Sequence, residues 1–145
     1  MNRTTDAVKQ ALIQALAKLE YHTVVYEDGG MRIWYNGRFV DINISNRFVR
    51  IWDLFWRTFC PGDIGLSHIK EAVNSANMTP LASIVYSYSE DKELTYLNSK
   101  VDFMFDPEIP HPESYVDAHL KALDLIKEAF HSHLNDYTWH LSGNN

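Results

Sequence analysis

The chain of 145 residues holds one cysteine, Cys60. An internal disulfide is therefore excluded, as is a zinc site built from cysteines. A reducing compartment, the cytoplasm, is the expectation, with Cys60 a buried, inert thiol beside Pro61 and aromatic strand residues. Long apolar runs are absent too: no window approaches the roughly 18 apolar residues of a membrane span. Met1-Asn2-Arg3-Thr4-Thr5-Asp6 passes straight into an amphipathic pattern without the apolar stretch of a signal peptide. Basic residues are outnumbered, 13 Lys and Arg against 19 Asp and Glu, and the net charge of −6 gives no general pull toward nucleic acid or anionic lipid. With 6 glycines, 5 prolines and no repeat, nothing divides the chain. One domain over residues 1–145 is expected, with a core over about 5–134.

Catalytic signatures are missing as well. There is no His-Glu-x-x-His, Gly-x-Ser-x-Gly or nucleotide-binding fingerprint, and Gly29-Gly30 is followed by a strand pattern, so it reads as a hairpin turn. His131 and His133, two apart on a helix, point to different faces and cannot chelate one ion. His119 and His133 read as surface or boundary residues of that helix. Glu90-Asp91 and Asp106-Pro107-Glu108 read as solvated turn acids. No catalytic residue, metal ligand or cofactor is assigned.

What is present is a clear change of periodicity. Val8, Ala11, Leu12, Ala15, Leu16 and Leu19 recur at helical steps, so Thr5–Leu19 reads as a helix, capped by Thr4 or Thr5. The period then becomes two. A short strand, Thr23–Tyr26, precedes Met31–Tyr35, Arg38–Ile44 and Arg47–Thr58, with Asn36-Gly37 as the strongest hairpin signal and Ser45-Asn46 as a weaker one. Ser67 can cap a second helix with Ile69, Ala72, Val73 and Ala76 on its apolar face. Leu81–Tyr88 and Glu93–Phe105 read as a hairpin with an irregularity near Asn98-Ser99. Ser114 can cap a last helix to about Leu134, striped by Val116, Leu120, Leu123, Ile126 and Phe130. The aromatic tail, residues 135–145 with Trp139, is expected to pack back. The fold class is α+β, in the order α-β-β-β-α-β-β-α over the long strands, an antiparallel sheet with helices packed on one face.

Two-residue loops at both turns set strand registers. Ile33-Val40-Ile51 and Met31-Ile42-Val49 then form rows on one face, and Arg32-Asp41-Arg50 and Trp34-Phe39-Trp52 on the other. The aliphatic rows must face the helices. The aromatic row is therefore exposed, with Leu54 and Trp56 extending its parity. A bare aromatic patch of this kind is a typical contact surface, while the bland alternatives are a ladder that stabilises an exposed sheet without a partner and a patch covered by the Trp139 tail or the proline loop of the same chain. The candidate partner-binding residues are Trp34, Phe39, Trp52 and Trp56, with Arg32 and Arg50 as a polar rim.

The element order, with the Asp28-Gly29-Gly30 turn, the Arg38–Ile44 strand and the Val116–Phe130 stripe, resembles the type III secretion chaperone-like architecture. Within it, the chain resembles the YbjN-like family of small bacterial proteins. That resemblance implies a non-enzymatic role, often as a homodimer, in binding a protein or peptide segment. The chain differs from the secretion chaperones in its strand tryptophans and its longer proline loop. The competing reading is a small-molecule-binding or enzymatic domain, with a pocket near the Cys60–Ser67 and Asp106–Glu113 loops and Asp63, His68, His111 and Glu113 as its polar groups.

Overall fold

A computed structural model describes residues 3–60 and 65–141, with side chains through residue 135. The amphipathic helix α1, Arg3–Lys18, buries Val8, Leu12, Ala15 and Leu16. Its start at Arg3 puts Thr4 and Thr5 inside the first turn rather than at the cap. Thr5 Oγ1 instead accepts a hydrogen bond from the Asn46 N–H at 3.0 Å.

Four antiparallel strands follow: β1 Thr23–Val25, β2 Met31–Tyr35, β3 Arg38–Ser45 and β4 Phe48–Phe59. The short β1 is a full sheet member, so four strands precede α2. Asn36 (φ 49°) and Gly37 (φ 81°) close the β2–β3 hairpin, and Tyr35 pairs with Arg38 and Trp34 with Phe39 as expected. The next turn differs. It is formed by Asn46, in the left-handed region at φ 56°, and Arg47 rather than by Ser45-Asn46. Ile42 therefore pairs with Ile51 and Asp41 with Trp52. The shift is two residues, so every side chain keeps its face, but the expected rows Arg32-Asp41-Arg50 and Trp34-Phe39-Trp52 do not form.

Helix α2, Leu66–Ala76, starts after Gly65 in the left-handed conformation without a side-chain cap, so Ser67 does not cap it. Ile69, Ala72, Val73 and Ala76 are its buried face. The hairpin of β5, Ala82–Tyr88, and β6, Thr95–Met104, joins the same sheet, giving the order β1-β2-β3-β4-β6-β5. The irregularity expected at Asn98-Ser99 lies instead in the facing strand, between Asp53 and Arg57 of β4. Helix α3, Pro112–Leu141, begins at Pro112, where a missing N–H costs nothing, so Ser114 falls inside it. The backbone of residues 135–141 extends α3, and the expected packing of the Trp139 side chain lies outside the described residues.

All three helices described lie on one side of the sheet. Met31, Ile33, Val40, Ile42, Val49, Ile51, Leu97 and Val101 point to them and are buried with Leu12, Leu16, Leu120, Leu123, Ile126 and Phe130. Burial at about 25 cal/mol per Å² of apolar surface makes this layer the main source of stability. The opposite side of the sheet carries no helix among the described residues. Cys60 is exposed, against the expectation of a buried thiol. Among the described residues, no helix is long and apolar enough to cross a membrane.

Candidate protein-binding face

Strand alternation sends Arg32 and Trp34 of β2, Phe39 and Asp41 of β3, Phe48, Arg50 and Trp52 of β4, and Lys100, Asp102 and Met104 of β6 to the open side. Trp34 is 55% exposed, Phe39 51% and Phe48 60%. Trp34 and Phe39 meet edge to face at 4.7 Å, the preferred arrangement for aromatic pairs. Phe48 pairs with Met104 at the other end of the sheet. The open face therefore has an aromatic patch toward each end and charge between them.

The charges are paired. Arg32 Nε donates to Asp41 Oδ1 at 2.8 Å, and its guanidinium lies 5.1 Å from the Phe39 ring centre. Arg50 is expected opposite Asp41 but lies opposite Asn43 and Asp102, to which it donates. Lys100 donates to the same carboxylate at 2.8 Å. Partial desolvation opposes ionisation of Asp102, and the hydrogen bonds from Arg50 and Lys100 overcome it, holding its pKa below the usual carboxylate range. Exposed pairs such as these contribute little stability each. They leave the face with a net charge of only +1, because Arg32 balances Asp41 and Arg50 and Lys100 together outweigh Asp102 by one.

Trp52, half buried, stands between two shallow grooves. One, of about 420 Å³, is lined by Asn43, Ser45, Phe48, Arg50, Trp52 and Asp102. The other, of about 600 Å³, is lined by Trp52, Leu54, Phe55, Val85, Tyr88 and Tyr96 among others. Both are large enough for one or two apolar side chains and open enough to admit an extended segment.

Trp56 does not belong to this face. The β4 irregularity inserts two residues between Asp53 and Arg57 and carries Phe55 at φ 54°, so the alternation is lost locally. Trp56 turns to the helix side, packing edge to face on Phe130 at 5.4 Å and donating from Nε1 to the buried Ser99 Oγ at 2.9 Å. Phe55 takes its place outside, 57% exposed and 5.0 Å from Tyr96. The Phe55 N–H is satisfied by Asn98 Oδ1 at 2.9 Å, and Asn98 Nδ2 reaches across to the Val85 carbonyl at 3.0 Å. Phe48 shares the parity of Trp52 and was available to sequence reasoning. Phe55 was not, because nothing but its own φ marks the irregularity.

Beneath the irregularity lies a buried ion cluster that the sequence did not suggest. Asp53, almost fully buried, accepts from Arg38 Nε at 2.9 Å and from Lys127 of α3. Arg38 also donates to the Leu54 carbonyl at 2.7 Å. The cluster ties the hairpin and β4 to α3 and so fixes the plane of the outer face. Tyr35 Oη adds a second tie, donating to Asp124 Oδ2 at 2.7 Å. Desolvation and this hydrogen bond push its phenol far above the usual range.

Among the described residues, the polar groups of the alternative pocket do not come together. His111 and Glu113 stand at the start of α3, where Glu113 lies 3.9 Å from Lys18. His68 of α2 lines a small groove with Glu71, Ser75 and His133 near the other end of α3. Twenty residues of helix separate Glu113 from His133, roughly 30 Å at 1.5 Å per residue. Asp63 lies outside the described residues. His119, read as a boundary residue, is buried and stacked on Phe103 at 4.2 Å. His131 and His133 do point to different surfaces: His131 contacts Trp56 and Arg57, His133 the His68 groove. Among the described residues, no three His, Cys, Asp or Glu side chains converge as a metal site requires. Asp91 and Asp106 serve their own turns, accepting from the Glu93 and Glu108 N–H groups.

No family model matches the sequence, and no curated protein matches it significantly. Among solved structures, the chain is similar to YbjN, a proposed transcription regulator from E. coli, with a TM-score of 0.56 at 8% identity, over 79% of this chain and 84% of that one. Identity that low speaks to architecture alone. The six-stranded antiparallel sheet with its helices on one side is a YbjN-like α+β fold.

Proposed function

We propose that this chain is a non-enzymatic protein-binding module, a chaperone-like or regulatory adaptor domain, that receives an extended apolar segment of another protein on its open sheet face. Trp34, Phe39 and Trp52 are the apolar contacts, joined by Phe48 and Phe55, and Arg32 and Arg50 form the polar rim. The observation that carries this reading is the exposure of Trp34 (55%), Phe39 (51%) and Phe48 (60%) on a side of the sheet with no helix over it among the described residues. Water does not favour leaving so much aromatic surface bare, and aromatic residues dominate binding hot spots. The paired charges suit an uncharged or mixed-charge segment better than a polyanion, which argues against nucleic acid. The proposed setting is the bacterial cytoplasm, with the chain as a homodimer. The regulatory role proposed for the similarly folded YbjN is compatible with an adaptor.

Trp52→Asp tests the reading. Proteins captured by the wild-type chain are purified and titrated against both forms. A loss of about 2 kcal/mol or more in binding is expected, the scale of a hot-spot residue, with melting nearly unchanged. Equal affinity for a folded Trp52→Asp variant would sink the proposal. Should Trp52→Asp unfold, Trp34→Ala, at a more exposed position, decides instead.

A further inference from the structure

The sheet has a second unfinished surface, the free edge of β5. Ser89 N–H bonds to the Leu94 carbonyl, continuing the β5–β6 register. Residues 83, 85 and 87, of the same parity, therefore direct their backbone groups to β6. Residues 82, 84, 86 and 88 direct theirs outward. Ile84 confirms the phase. Its N–H donates to Asn77 Oδ1 at 2.7 Å, and its carbonyl accepts from Asn77 Nδ2 at 3.2 Å. The side chain of the α2 C-cap thus occupies the edge at Ile84 as a neighbouring strand would. Beyond it, the backbone groups of Tyr86 and Tyr88 have no hydrogen-bond partner among the described residues.

This open stretch lacks the usual protections of an edge. Ala82-Ser83-Ile84-Val85-Tyr86-Ser87-Tyr88 contains no charge, no proline and no glycine. It is also self-complementary. In an antiparallel pairing about a two-fold axis at Ser87, Tyr86 faces Tyr88 of a second copy and Tyr88 faces Tyr86. Both pairs are of the hydrogen-bonded kind, so all four open groups on each copy are satisfied. A two-fold at Tyr86 would place Tyr88 against Ile84, which Asn77 already occupies. A two-fold at Tyr88 would use only one open residue. The edge therefore selects one register.

We infer that the chain dimerises through β5, with Tyr86 and Tyr88 of each copy exchanging backbone hydrogen bonds about Ser87. The four tyrosine side chains then cluster on the helix side of the joined sheet. Tyr86 already packs against the core, and Tyr88 is 59% exposed. Because Tyr86 is already partly covered, the newly buried area comes mainly from the two Tyr88 rings, at roughly 150–250 Å² each, and from the paired backbone, so the interface is small and rests on its backbone hydrogen bonds. The inference is independent of the aromatic-face reading. The dimer leaves that face open apart from the rim of the groove beside β5, to which Tyr88 contributes.

Light scattering from low micromolar to near-millimolar concentration tests it, on wild type, Tyr88→Pro, Tyr88→Asp and Trp52→Asp. Proline at 88 removes an N–H that points away from β6, so the hairpin tolerates it. Wild type and Trp52→Asp are expected to show the mass of two chains. The two Tyr88 variants are expected to be monomers, with dimerisation weakened about a hundred-fold or more, and with unchanged circular dichroism. Hydrogen exchange should find the Tyr86 and Tyr88 amides protected in wild type and the Tyr86 amide fast in Tyr88→Asp. A wild-type monomer throughout, or a dimer that survives Tyr88→Asp, overturns the inference, whatever peptide the edge then accepts. If Tyr88→Pro unfolds, Tyr88→Asp alone decides.

Discussion

Asp53 and His131 sit on the two flanks of the β4 irregularity, and each has a measurable signature. Asp53 is the only anion between Arg38 and Lys127 in the cluster described, and it is almost completely shielded from water. Removing one member of such a cluster leaves the others uncompensated in a poorly solvated place. Asp53→Ala is expected to cost about 3 kcal/mol, read as a lower urea midpoint at unchanged slope. His131 is pushed below the usual histidine range, first by burial and then by the Arg57 cation. Arg57 lies 3.4 Å from Nε2, a contact in which the ring accepts only while neutral. The folded pKa is depressed, so the unfolded chain binds the proton more readily. Stability is full above the unfolded value near 6.5 and declines as pH falls below it toward the folded value. Urea midpoints between pH 7.5 and 5.5 should therefore fall more steeply in wild type than in His131→Gln, by the contribution of roughly one group titrating near 6.5. Equal slopes would show that His131 stays neutral, or ionises equally, in both states.

The β2–β3 hairpin was fully legible because Asn36-Gly37 leaves one good turn. Gly37 at φ +81° has nothing within 4 Å of a built Cβ, so Gly37→Ala isolates backbone strain. It should cost about 1 kcal/mol in urea unfolding with no change in the fold. The β3–β4 turn was less legible. Ser45-Asn46 and Asn46-Arg47 both offer Asn46 its left-handed conformation, and the two choices differ by two residues of pairing. Alternation survives such a shift. Hence Arg32, Trp34, Phe39, Arg50 and Trp52 were placed on the correct side although their neighbours across the strands were not. Trp56 failed for a different reason. Alternation holds on either side of the irregularity, because β4 gains two residues there and Phe59 is buried like Asp53, but not within it, and the local break is carried by Phe55 at φ 54° with no glycine to announce it. Its compensation, the Asn98 side chain bonded to the Phe55 N–H, comes from a strand more than 40 residues later. No local pattern encodes that. The caps were misplaced because α1 starts earlier, α2 follows a left-handed Gly65, and α3 starts on Pro112.

At the scale of the whole molecule, the proposed segment-binding face and the proposed dimer edge of β5 are two surfaces at right angles. Pairing through β5 joins two six-stranded sheets edge to edge, and a two-fold axis normal to the sheet keeps both aromatic faces on the same side. In the proposed dimer, a segment bearing two apolar stretches would meet two sites at high effective concentration. Such a segment gains affinity without any new contact.

The Asn77 clip also bears on the order of synthesis. β5 leaves the ribosome before β6, its one strand neighbour among the described residues, and for that interval both of its edges are bare. An uncharged, β-branched and aromatic stretch in that condition is what nascent chains on neighbouring ribosomes aggregate through. Asn77 precedes it by only seven residues at Ile84. One edge can therefore be closed by a residue already synthesised, and the vulnerable period is confined to the few residues needed to complete the hairpin.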